Sequence, residues 1–149
     1  MKRFALLVAG VLIAGSGLLA WPASSAEPAD IIAARRANQK RVGEIAKSID
    51  AGLLNKSSAA AMVDLVKELD DRAKLIKGYF PEGTQTGDTK ARPEIWTDRA
   101  GFNAAADAYV AEFDKLLVIA QAGDTAAFGP QFEKAASTCG ACHRQFRQR

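Results

Sequence analysis

Near the C-terminal end of the sequence lies the stretch Phe132-Glu133-Lys134-Ala135-Ala136-Ser137-Thr138-Cys139-Gly140-Ala141-Cys142-His143-Arg144-Gln145-Phe146. Phe132, Ala136, Cys139, Cys142 or His143, and Phe146 recur every three to four positions, the period of one face of an α-helix. The same period runs back through the sequence. Phe102, Ala106, Tyr109, Phe113, Leu116 and Ala120 make a third-helix stripe, and Met62, Val66, Leu69, Ala73, Ile76 and Phe80 make a second within residues 57–80. In residues 29–53 the stripe is Ile32, Val42, Ala46, Ile49 and Leu53, and stepping backward from Val42 lands on Gln39 and Arg35. No segment sustains strand alternation.

The punctuation between stripes agrees with four helices. Ser57 is the expected N-cap of the second. Gly123 is a C-terminal stop and Asp124 the cap of the fourth. Gly129-Pro130 predicts a kink or a short preceding turn near the start of the fourth helix. One longer link, residues 81–97, is rich in Gly, Thr and Pro. Four amphipathic helices with mostly short connections predict an all-α fold, an antiparallel up-down four-helix bundle.

Composition bounds the rest. The chain has 149 residues, the length of one domain, and is 48% apolar and 25% charged, which excludes disordered and fibrous classes. Its formal charge is +3, with no concentrated basic stripe, so nucleic acid is not an expected partner. Lys2 and Arg3, the apolar run from Phe4 to Trp21 and the small-residue exit Ser24-Ser25-Ala26 follow the grammar of a secretory signal. Residues 1–26 are therefore expected to be removed, leaving the domain 27–149 in a bacterial periplasm.

Both cysteines of the chain lie in its last eleven residues. Cys139-Gly140-Ala141-Cys142-His143 is the C-x-x-C-H arrangement of covalent haem attachment. Two thiols three positions apart can add to the two vinyl groups on one side of a porphyrin, and the next residue can turn its imidazole to the iron. Small residues at Gly140 and Ala141 let the helix lie close to the macrocycle. His143 is the single histidine of the sequence. A thioredoxin-like redox pair would accompany a βαβ pattern, and a zinc site would need a fourth ligand that the chain does not offer. One haem c is expected, bound through Cys139 and Cys142, with His143 as the metal ligand.

With this motif at the end of a four-helix bundle, the chain resembles the class II cytochromes c, which comprise cytochrome c′ and low-spin relatives of the cytochrome c-556 type. The resemblance covers the mature chain. It is most specific in residues 139–147 and in the link with Gly83-Thr84 and Ala91-Arg92-Pro93-Glu94-Ile95-Trp96, the last four entering the third helix. It implies that Arg147 lies beside the proximal imidazole of His143, one helical turn away. It also implies that Arg35, with Arg36 beside it, lies near a haem propionate, and that Thr84 and Gln85 approach the haem.

The resemblance also singles out Gln39. In c-556-type members a methionine four residues after the first-helix arginine binds iron, whereas cytochrome c′ has an apolar residue there. This chain has Gln39, and its two methionines are Met1, in the signal, and Met62, on the second helix. The Gln39 amide either ligates iron weakly, hydrogen-bonds a water or gas ligand, reaches a propionate, or turns to solvent.

Two functions follow. The first is electron carriage through the Fe(III)/Fe(II) couple between redox proteins. The alternative is binding of nitric oxide, carbon monoxide or another diatomic gas at an open distal site. Electron transfer ranks first on sequence because any attached haem c can cycle. With no second histidine to act as acid or base, the chain reads as not an enzyme. A homodimer is left open: Ile31, Ile45 and Leu54 lie off the main stripe and either serve an interface or widen the core-facing band.

Overall fold

The protein is described by a computed structural model that covers residues 27–149, so the expected signal lies outside the described residues. The architecture is the expected antiparallel four-helix bundle, built from α1 (Pro28–Leu54), α2 (Val63–Lys74), α4 (Arg99–Gln121) and α5 (Thr125–Phe146). A single-turn α3 (Glu94–Thr97) sits in the long link.

Helix α4 buries its predicted stripe residue for residue: Phe102, Ala106, Tyr109, Phe113, Leu116 and Ala120 are its buried positions. Its N-terminus is capped by Asp98, whose carboxylate accepts the Gly101 N–H at 3.0 Å. Its C-terminus stops at Gly123, which takes the left-handed conformation with φ +70°. Asp124 then accepts the Ala127 N–H at 3.0 Å and opens α5. A turn this short forces α4 and α5 antiparallel.

Elsewhere the structure corrects the sequence expectations. The second segment is not one helix, because 3-10 turns at Ala59–Met62 and Ile76–Tyr79 flank α2. Its cap is Ser58, which accepts the Ala61 N–H at 3.3 Å, rather than Ser57. Lys56 takes a left-handed φ of 56° and the Ser57 N–H is spent on the Gly52 carbonyl at 2.9 Å, so Ser57 closes α1. In α5 the buried position is Ala135 and Ala136 is exposed. The helix also runs unbroken through Pro130 instead of starting after a separate turn. Pro130 is the sixth helical residue, so it forfeits a single hydrogen bond just past the turn whose N–H groups have no intrahelical partner anyway. Pro93-Glu94-Ile95-Trp96 forms α3 and its cap, with α4 starting afresh at Arg99. Ile45 is fully buried in the core, whereas Leu54 is 84% exposed, so Ile45 is removed from any surface role.

The core has two parts. The larger cluster packs Ile45, Ile49, Leu69, Phe113, Leu116 and Phe128 where the four helices meet. The smaller is an aromatic group at one end, where Phe80, Phe102 and Phe146 meet edge to face at 5.0 and 5.6 Å between centroids. Between α1 and α2 the surface is tied by a polar network. Arg41 donates to both Glu68 oxygens at 2.8 and 2.7 Å, and Arg72 donates to Glu68 at 2.9 Å and to the side-chain Oδ1 of Asn38 at 3.2 Å.

Two predictions follow from this packing. Leu116→Ala removes a fully buried side chain and is expected to cost about 2–5 kcal/mol in denaturant unfolding. Glu68 is held down to about 2, first by its hydrogen bond from Arg41 and then by Arg72. Its folded pKa lies below its ordinary value of 4.5, so it stabilises the fold above pH 4.5 and that contribution fades as pH falls toward 2. Glu68→Gln should flatten the loss of stability across this window, read as the denaturation midpoint against pH.

Candidate functional site

The C-terminal helix brings its two cysteines to the seam between the two cores. Cys139 packs on the larger cluster and Cys142 on the aromatic one. Both are half-buried and neither is in a disulfide. Burial raises both thiol pKa values, and for Cys139 the neighbouring Cys142 adds to the rise, so both stay protonated at neutral pH. Tyr109 of α4, 8% exposed, belongs to the larger cluster on which Cys139 packs, and its phenol pKa is raised by burial first and then by the two thiols.

His143 lies in the last turn of α5 at the surface. Partial desolvation of the ring, and then the charge of Arg147, lower its pKa. A neutral imidazole is the form that binds a metal. Arg147 caps the helix, its N–H donating to the His143 carbonyl at 3.2 Å. The end of the chain is fastened to the link. Ala91 and Arg147 form an isolated antiparallel bridge, the Arg92 N–H donates to the Phe146 carbonyl at 3.0 Å, and the Gln148 N–H donates to Lys90 at 2.8 Å.

Arg35 is 3% exposed. Its guanidinium donates to the Tyr79 carbonyl at 3.2 Å, to the Thr84 hydroxyl and carbonyl at 3.3 and 3.2 Å, and to the Thr89 hydroxyl at 2.7 Å. It also lies 4.6 Å from the centre of the Phe80 ring. All of these partners are neutral, and burial alone lowers its pKa. A buried guanidinium without a carboxylate is the donor chemistry that a macrocycle bearing propionates would satisfy. Together with paired thiols at an apolar seam and a neutral imidazole beside them, the residues fit a covalently attached haem.

The other expected residues are placed as follows. Thr84 is fully buried, its hydroxyl donating to the Pro81 carbonyl at 2.8 Å. Gln85 bonds Glu82 at 2.7 Å. Arg36 is exposed and pairs with Asp88, the link residue next to Arg35's partner Thr89. Gln39 is half-buried, one turn beyond Arg35, and the fully buried amide of α1 is its neighbour Asn38. Asn38 donates to the Arg72 carbonyl at 3.4 Å, so it serves the α1–α2 contact. Sequence reasoning missed Thr89, the strongest partner of Arg35, and the cluster of Arg92, Arg144 and Arg149 around His143. The basic run at the C-terminus was the available signal for Arg144 and Arg149, whereas nothing local marks Thr89.

The fold is shared with known proteins. The sequence profile of the family described as Cytochrome C′ matches residues 30–147. A cytochrome c′ of Rhodopseudomonas palustris is 31% identical over 159 aligned positions, covering 99% of this chain and 97% of that one. The crystal structure of cytochrome c′ from Rubrivivax gelatinosus superposes with a TM-score of 0.76 at 29% identity, covering 82% of this chain and 98% of the other. The nitric oxide complex of a mutant cytochrome c prime from Alcaligenes xylosoxidans gives 0.77 at 28% identity, covering 84% and 98%.

Arg35→Ala should release the link from α1. The charged hydrogen bonds to Thr84 and Thr89 support a loss of about 2–3 kcal/mol in unfolding free energy. Faster amide hydrogen exchange confined to residues 84–91 would accompany it, and unchanged exchange there would contradict the assignment.

Proposed function

The chain belongs to the cytochrome c′ family of class II cytochromes c, and on that footing we propose that it is an exported monohaem protein that binds diatomic gases, nitric oxide foremost, on the haem face opposite His143. Cys139 and Cys142 would hold the haem by thioether bonds and His143 would ligate its iron. When bound, the haem supplies an iron centre able to take up a gas and to change between Fe(III) and Fe(II).

The observation that carries this reading is the place of Met62. It is the single methionine of residues 27–149, it is 2% exposed, and it lies against Gly52 where a Cβ would not fit. The Ala59 N–H beside it donates to Thr125, the first residue of α5, and Cys139 is fourteen residues further along, about 20 Å at the helical rise. No thioether is therefore at hand for the sixth iron position, which favours an open site. Gln39, half-buried on α1, is the polar group proposed to face it, its amide donating to a bound gas. The similar structure described as a nitric oxide complex supports the same reading.

The remaining residues act as supports. The lowered pKa of His143 keeps its ring neutral, Arg35, whose partners are all neutral, is proposed to meet a propionate, and Arg147 sets the charge beside the imidazole. Thr84 orients Arg35, and Arg36 remains on the surface with Asp88. Residues 1–26 direct export to the periplasm and are then removed. The sequence alone ranks electron carriage first; the nitric oxide complex among the similar structures reverses that order, and electron transfer to redox proteins becomes the second reading.

Absorption spectra of the purified protein test the proposal. The ferric form should be high-spin, and the dithionite-reduced form should change promptly on adding nitric oxide. A low-spin spectrum indifferent to the gas would contradict it. Gln39→Ala should raise nitric oxide dissociation about fivefold, the worth of one ordinary hydrogen bond. Cys139→Ser/Cys142→Ser should yield protein whose haem is extracted by acidified organic solvent.

A further inference from the structure

The end of the chain gathers positive charge around His143. A surface hollow of about 750 Å³ is lined by Arg92, His143, Arg144, Arg147, Gln148 and Arg149, with no acidic residue in its wall. Elsewhere in residues 27–149 the balance is opposite, with 17 acidic against 14 basic residues. Most exposed cations on the rest of the surface are neutralised in ion pairs, as Arg41 is by Glu68, Lys67 by Asp71 and Lys115 by Glu112. At the hollow Arg92 has Glu94 at 2.6 Å, but Arg144, Arg147 and Arg149 form no ion pair among the described residues.

The charges are also held in place. The bridge between Ala91 and Arg147, and the bond from the Gln148 N–H to Lys90, fix the tail against the link and bring Arg92 and Arg147 to one face. The Arg144 guanidinium lies back along α5, 3.6 Å from where a Cβ on Gly140 would stand, and so over the segment between the two cysteines. Like charges gathered this way repel one another, and a dense cationic face on a chain that is otherwise net acidic is compensated best by an anionic surface. The cations come from a helix end, a link and a tail, a spread that matches an extended surface better than one small anion.

We propose that this arginine face is the docking surface for an acidic redox protein, which it steers to the His143 edge of the haem. The proposal rests on the haem reading above and adds the partner and its point of approach. Steering of this kind raises association rates by tenfold or more at low ionic strength and is lost as salt screens it.

The probe is reduced flavodoxin, a small acidic electron donor, mixed with the ferric holoprotein in a stopped-flow instrument. One electron leaves its flavin as one ferric iron becomes ferrous. The variant Arg144→Glu/Arg149→Glu reverses two charges at the hollow. The control, Lys47→Glu/Lys56→Glu, makes the same change in net charge on exposed lysines toward the opposite end of α1. The proposal expects the hollow variant to lose about tenfold in bimolecular rate at low salt, to converge with the parent at high salt, and the control to lose less than twofold. Equal losses in the two variants would reduce the effect to net charge and overturn the proposal, as would no loss in either. A loss seen with ferricyanide but not with flavodoxin would assign the face to small anions and overturn it too. A preparation with no covalent haem would instead sink the haem reading, so the two failures are distinguishable.

Discussion

Arg35 is a permanent charge held at 3% exposure. Burying a cation costs several kcal/mol unless its field is compensated. Here two carbonyls and two hydroxyls accept its N–H groups and the face of Phe80 lies beside it, and all except Phe80 and Tyr79 come from the link. The link therefore cannot wander: Thr84 and Thr89 are anchored to α1, Trp96 donates to the Pro81 carbonyl at 3.0 Å, and Ala91 is bridged to the chain end. One buried charge thus organises the end of the bundle where the chemistry sits. Neutral oxygens satisfy its N–H groups but not its charge, and that imbalance is the strongest sign in the protein that an anionic group belongs beside it.

The rest of the bundle supplies the platform. Helix α5 is fixed at its start by Asp124 and Thr125 and at its end by the bridge to Ala91. Between those anchors its buried side runs through Phe128, Phe132 and Ala135 to the two thiols and Phe146. The thiols lie at the seam between the cores, sheltered enough to remain neutral, while His143 faces the arginine-lined surface. Cytochrome c′ relatives share this helical framework, and on it the present chain carries the half-buried amide of Gln39 on α1 and a cluster of arginines around its last turn.

How much of this the sequence discloses depends on range. The α4 stripe is fully legible because a long helix with a strict three-to-four period and an apolar face leaves one solution. The caps at Asp98 and Asp124 are of the same local kind, though only Asp124 was read. On α1 the steps from Val42 back to Arg35 can be taken as three then four or as four then three. The first lands on Gln39 and the second on Asn38, and the contact with Arg72 selects the second for the core. The Ala135–Ala136 ambiguity on α5 has the same origin. The shift of the cap from Ser57 to Ser58 depends on a left-handed Lys56 that no residue type announces. The bond from Arg35 to Thr89 and the bridge from Ala91 to Arg147 span more than fifty residues, beyond any periodic signal. The C-x-x-C-H motif was legible because covalent chemistry dictates its spacing, whereas the cationic hollow was not, because it is assembled from two separate segments.

The central claim is a haem held by Cys139, Cys142 and His143 whose other face carries no protein ligand. Electron paramagnetic resonance of the purified ferric protein tests it most directly. The account predicts an axial high-spin signal from iron with one strong axial ligand. A rhombic low-spin signal would contradict it, because it would require a sixth protein ligand on the face assigned to the gas.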